Sequence, residues 1–214
     1  AATGGLGDVL GSLPAAIVEA SDGRVDVRVV MPLYGSIASQ WREKMTKVYE
    51  GEISLSWRKL YCGIHSLVKD GVTYYFVDNE YYFNRGALYG FFDEAERFAY
   101  FSKVAAALPE LVGYYPDVVH AHDWSSALSL IYINSKYRHK DGYQNIKLAY
   151  TIHNIEYQGQ SQTAGLKIRF NSVKKKDEAT LAMEKAAGRW SRNLYLSGGY
   201  ESLDEYVLLQ CMQE

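Results

Sequence analysis

Asp117-Val118-Val119-His120-Ala121-His122-Asp123-Trp124 and Lys147-Leu148-Ala149-Tyr150-Thr151-Ile152-His153-Asn154 are two runs built alike. Each is short and apolar, and each ends in a turn that carries a histidine and a second polar side chain. The segment between them has helical spacing to about Tyr137, with Ser125 or Ser126 placed as its N-cap. Apolar strands separated by helices predict a mostly parallel sheet covered on both faces. Working outward, Arg24 to Pro32 alternates and then turns apolar, as a buried strand does, and Pro32 ends it. Val48 to Leu67 alternates and predicts one or two antiparallel strands. Lys69-Asp70-Gly71 is a tight turn, and Val72 to Asp78 is the strand that answers it. A tyrosine-rich loop runs from Asn79 to Phe92, and Glu94 to Leu111 reads as a helix with Phe98, Phe101, Val104, Ala105 and Leu108 on one face. The fold class is therefore α/β, and in such sheets ligands sit outside the carboxyl ends of the strands.

The chain opens on Thr3-Gly4-Gly5-Leu6-Gly7-Asp8-Val9, a glycine-rich loop that feeds a helix carrying Val9, Leu10, Leu13, Ala16 and Ile17. Glycines uncover their N–H groups, and a helix N-terminus carries unpaired donors and the positive dipole end. A phosphate or carboxylate fits there; the plainer reading is a tight turn. Asp8 is open to the same division, between a ligand contact and a charge that favours the helix dipole. Such loops follow a buried strand, so a strand upstream of Ala1 is expected. The 214 residues carry 23 basic and 25 acidic side chains, a formal charge of −2. That balance argues against nucleic acid or an anionic membrane as partner. The Lys174-Lys175-Lys176 run is followed by Asp177 and Glu178 and reads as a solvated face. Two cysteines, Cys62 and Cys211, are too few for a disulfide framework and suit a reducing compartment, with Cys62 as a small apolar strand residue. No run of about 18 apolar residues marks a membrane span. Beyond Gln160 the pattern weakens, with helices expected over Val173–Trp190 and Tyr195–Gln213.

His120-Ala121-His122-Asp123 has the look of a metal site, which needs further ligands from other strands, and only His153 is placed to help. In the plainer reading His120 is buried, its ring satisfied by backbone. His65 and His139 read as surface residues. Of the tyrosines, Tyr74 and Tyr75 fit core packing in a strand, whereas Tyr89, in a loop, fits a ligand. Arg97 fits an ion pair better than a ligand contact.

These motifs, in this order, resemble the N-terminal half of bacterial glycogen synthases and plant starch synthases. The resemblance covers roughly Thr3 to Gly159. It rests on Thr3 to Pro14, Val29-Val30-Met31-Pro32-Leu33-Tyr34, Tyr74 to Asn79, Leu88-Tyr89-Gly90 with Glu96-Arg97-Phe98, Asp117 to Trp124, and Tyr150 to Gly159.

The resemblance implies a Rossmann-like domain that is one half of a two-domain GT-B glycosyltransferase. Such an enzyme moves glucose, with retention, from ADP-glucose or UDP-glucose to the 4-hydroxyl end of an α-1,4-glucan. No cofactor and no metal are implied, because positive side chains and helix N-termini offset the leaving diphosphate. Carried over by position, His153, Asp123 and Asp8 are catalytic. Thr3, Gly4 and Gly5 approach the donor phosphates, and Tyr89 and Asn154 serve the acceptor sugar. The implied setting is the bacterial cytoplasm, or a plastid if the source is a plant or alga. Residues 1–160 would form the N-terminal catalytic domain and residues 161–214 a weakly matching helical segment, with the nucleotide-binding C-terminal domain absent. The family's lysine before the glycine loop falls at Ala2, a departure that suggests an altered boundary. A glucan-binding fragment without transfer activity is the alternative from another class, and a metal hydrolase on His120, His122 and Asp123 is a third.

Overall fold

The computed structural model describes residues 4–154, which fall into two compact units. One holds the chain up to Ile53 together with Leu60–Gly90; the other holds Ser54–Lys59 together with the chain from Phe91 onward. The expectations for Thr3, Ile155 to Gly159, the Lys174 run, Cys211 and the two C-terminal helices lie outside the described residues.

In the first unit, α1 (Gly4–Ala20) runs through Pro14. Gly4 and Gly5 already lie within this helix rather than in a loop before it. The helix closes at Gly23, in left-handed backbone (φ 72°), whose N–H returns to the Val18 carbonyl at 2.9 Å. Strand β1 (Arg28–Pro32) starts later than the alternation from Arg24 implies, because pairing begins only at Arg28 opposite Thr73. A short helix α2 (Ser39–Arg42) precedes β2 (Thr46–Leu55) and β3 (Arg58–Lys69). Asp70 and Gly71, both at positive φ, then join β3 to β4 (Val72–Asp78), as a two-residue hairpin of mirror-image turn type requires.

The sheet order is β1-β4-β3-β2, with β1 parallel and β3 antiparallel to β4. Central β4 buries Val72, Tyr75, Phe76 and Val77, and Cys62 is fully buried on β3 as expected. Tyr75 packs into this core and accepts a hydrogen bond from Arg28 Nη1 at 2.7 Å; Tyr74 stacks on Phe76. His65 is only partly exposed, with Nε2 3.6 Å from Asp78. Inside the tyrosine-rich loop, Asn79 caps the short helix α3 (Glu80–Phe83) by accepting the Tyr82 N–H.

The second unit is built on α4 (Glu94–Val112), β5 (Val118–His122), α5 (Trp124–Tyr132) and β6 (Lys147–Thr151). Helix α4 buries Phe98, Ala99, Tyr100, Phe101 and Val104, and Gly113 (φ 66°) ends it. Fully burying each large apolar side chain contributes about 2 kcal/mol against exposure. Phe98 meets Trp124 edge-on, ring centroids 4.9 Å apart, and so fixes the start of α5 against α4. Arg97 is fully buried, its guanidinium over the rings of Phe91 (4.9 Å) and Phe98 (5.3 Å); the surface ion pair beside it joins Glu96 to Arg58 at 2.8 Å. After Tyr132 the helix widens to a π-helical turn over Ile133–Tyr137. The connection to β6 is held by Arg138 Nη1, which donates to the carbonyls of Tyr143 (2.9 Å) and Ile146 (2.7 Å), and by the buried Tyr143 hydroxyl on the Ala106 carbonyl (2.9 Å). No helix among the described residues is long and apolar enough to cross a membrane.

Candidate functional site

Strands β5 and β6 pair in parallel, with Val118 opposite Lys147 and His122 opposite Thr151. Side chains alternate along a strand, so His120, His122 and Thr151 share one face while Ala121 and Tyr150 share the other. This register sets the site, because it brings both histidine turns to one edge.

The ladder ends when the Asp123 N–H reaches the Thr151 carbonyl at 2.9 Å, and α5 starts at the next residue. The strand-to-helix corner is therefore a single residue, Asp123, at φ 58° and ψ 175°. That region belongs almost exclusively to glycine; a side chain there costs about 1–3 kcal/mol and persists only where its surroundings hold it. They do. Besides its own N–H, the Asp123 carbonyl accepts from the Ser126 N–H at 3.2 Å. Its carboxylate, in a buried side chain, accepts the His153 N–H at 2.6 Å. A short bond between a carboxylate and a backbone N–H is among the strong ones.

Neither Ser125 nor Ser126 is the N-cap, contrary to the expectation from sequence. Asp123 occupies that place, with no side-chain cap bond. Ser126 sits in the first turn instead, where Oγ accepts the His122 N–H (2.8 Å) and donates to the His122 carbonyl (2.7 Å). On the other face, the buried Tyr150 hydroxyl has no hydrogen-bond partner among the described residues. Burial, and then the nearby Asp123 carboxylate, push it well above the usual phenol range.

Three imidazoles line the edge. His120 is exposed and bonded through Nε2 to Thr151 Oγ1 at 2.7 Å, so the expectation of a buried ring held by backbone is wrong. The strand end lies open on this face, and a side-chain hydroxyl supplies the partner. His120 and His122 lie ring against ring, centroids 4.1 Å apart. His122 Nδ1 then meets His153 Nε2 at 2.9 Å. Burial, followed by His120 and His153, holds His122 down to about 4, with Asp123 opposing the shift.

Unfolding returns His122 to its ordinary 6.5, so the unfolded chain binds the extra proton between these values. The neutral ring therefore contributes full stability above pH 6.5, and the contribution is lost as pH falls toward 4. Wild type is expected to lose on the order of 1 kcal/mol more than His122→Asn over that range, after screening of the half-exposed ring. Urea midpoints measured across the range check this, and equal slopes would remove the assignment.

The structure thus joins Asp123 and His153 directly, with Asn154 exposed beside them. Asp8, exposed in the second turn of α1, belongs to the other unit, as do Gly4, Gly5 and half-buried Tyr89, which lies in the loop after α3. Among the described residues no group of three or more His, Cys, Asp and Glu has the geometry to hold a metal ion. One ring nitrogen of His122 and one of His153 are turned to each other instead. Sequence reasoning missed Thr151, the bonds of Ser126 to the His122 backbone and the bond between His122 and His153. Their signal was the matched length of the two strands, which places His122 opposite Thr151.

The family model for the starch synthase catalytic domain matches residues 1–196. This chain belongs to that family. Among similar proteins, the glycogen synthase of Desulforamulus reducens is 45% identical over 157 residues, covering 73% of this chain and 32% of that protein. The glycogen synthase of Geobacillus stearothermophilus is 45% identical over 160 residues, covering 74% and 32%. Among solved structures, the catalytic domain of starch synthase IV from Arabidopsis thaliana, bound to ADP and acarbose, superposes with a TM-score of 0.65 at 27% identity, covering 75% of this chain and 32% of that one. The chain therefore spans 32% of the length of these starch and glycogen synthase relatives. The structural match supports the α/β class, and the family match extends past the Gly159 limit of the motifs.

Proposed function

We propose that this chain is the acceptor-side half of a retaining glucosyltransferase that moves glucose from ADP-glucose to the 4-hydroxyl end of an α-1,4-glucan. The observation that carries the reading is the bond between the Asp123 carboxylate and the His153 N–H at the strand edge of a chain in this family. The ADP in the Arabidopsis neighbour favours an adenosine over a uridine donor. On this reading residues 1–160 are the N-terminal catalytic domain, and the nucleotide is held mainly by a second domain.

The roles follow from the chemistry. Departure of the diphosphate leaves an oxocarbenium-like sugar, and the glucan hydroxyl attacks it on the face the diphosphate left, its proton passing to the departing diphosphate oxygen. His153 offers a ring nitrogen to a donor-sugar hydroxyl. Asp123 holds the His153 backbone and turns negative charge toward the developing cation. Gly4 and Gly5, at the start of α1, approach the donor phosphates, and Thr3 serves the same group. Asp8, Tyr89 and Asn154 serve the sugars, the tyrosine through its flat face.

Calorimetric titration tests the reading. The chain is expected to bind maltoheptaose and to bind ADP-glucose weakly or not at all, while the full-length gene product binds both and transfers glucose. A full-length product that binds neither would overturn it. Glucan binding without transfer by that product would leave a glucan-binding module in its place.

A further inference from the structure

The candidate catalytic ring has a neighbour whose bond restricts it. His153 Nε2 is occupied by His122 Nδ1 at 2.9 Å, and the two ring planes lie 21° apart. His122 in turn is fixed from the other sides. Its N–H and carbonyl are both tied to Ser126 Oγ, and its ring lies 4.1 Å from that of His120, itself bonded to Thr151. One proton is shared between the two facing nitrogens, so one ring must present a lone pair there, and both cannot be imidazolium. We propose that His122 is a positioning residue: its Nδ1 holds the plane and tautomer of the His153 ring, leaving Nδ1 of His153 as the nitrogen that meets the ligand hydroxyl. This deepens the glucosyltransferase reading and rests on it. The neutral state of His122 agrees with the arrangement, since a charged ring would repel His153 whenever the latter takes up a proton.

Two amides separate positioning from packing. An asparagine at 122 places its amide where Nδ1 stood, whereas a glutamine amide lies one methylene further out. In the full-length gene product His122→Gln and His122→Phe are expected to lower kcat on the order of 10- to 100-fold with little change in either KM, and His122→Asn to stay within a few-fold of wild type. In this chain, ¹H–¹⁵N correlation spectra of the His153 ring are expected to show one tautomer in wild type and His122→Asn and a mixture in the other two. Wild-type kcat in His122→Gln, or the same tautomer throughout, would overturn the proposal. If the wild-type gene product moves no glucose, the glucosyltransferase reading falls, and the ring spectra still decide whether His122 positions His153. Should the phenylalanine variant fail to fold, the contrast between asparagine and glutamine carries the test.

Discussion

Replacing His153 by alanine is expected to slow glucosyl transfer by the full-length gene product on the order of 10²- to 10³-fold. That is the usual cost of removing one preorganised hydrogen-bonding group that acts on the transition state. The loss should appear in kcat more than in KM, because in the proposed role the ring acts on a sugar whose charge develops only as the diphosphate leaves. Stability should change little, by about 1–2 kcal/mol at most. Among the described residues the half-buried ring gives up its bond to His122, whose Nδ1 then turns to water. The bond from the His153 N–H to Asp123 is made by the backbone and survives the substitution. Thermal melts and initial rates on the same preparation check both halves. Wild-type turnover in a folded variant would take His153 out of the proposed machinery, and equal losses of stability and rate would make its role structural.

Much of this arrangement was legible in local sequence. Asp70-Gly71 is the turn chemistry that a two-residue hairpin demands, and both residues adopt the positive φ that such a turn needs. The apolar runs of β5 and β6 and the amphipathic Glu94 helix are equally direct. What escaped depends on partners far along the chain. No glycine marks Asp123 as a strained corner, because its conformation is imposed by Thr151 at the end of β6 and by His153 just beyond it. The exposure of His120 and the bond between His122 and His153 follow from register, which side-chain alternation alone leaves free. The π-helical turn at Ile133 adds no sequence signature to a segment with helical spacing up to Tyr137. The start of β1 moved from Arg24 to Arg28 because a strand begins where a partner does, and Thr73 sets that point.

Asp123 offers a sharper separation of fold from chemistry, because its backbone and its carboxylate pull in opposite directions. Glycine at this position relieves a conformation that costs about 1–3 kcal/mol for any other residue. The same substitution removes the acceptor of the His153 N–H, and leaving such a group unpaired costs a similar 1–3 kcal/mol. The two effects nearly cancel, so Asp123→Gly is expected to melt within about 5 °C of wild type. Asp123→Ala keeps the strain and loses the acceptor, and is expected to be the least stable of the series. Asp123→Asn keeps an oxygen where Oδ1 stands and loses only the charge. In the proposed role the charge acts on the developing oxocarbenium centre, so asparagine and glycine alike are expected to lower kcat on the order of 10²-fold or more. A corner that served the fold alone would show rates that follow stability, with glycine active and alanine worst. Rates low in all three variants, whatever their melting temperatures, would place the carboxylate in the reaction.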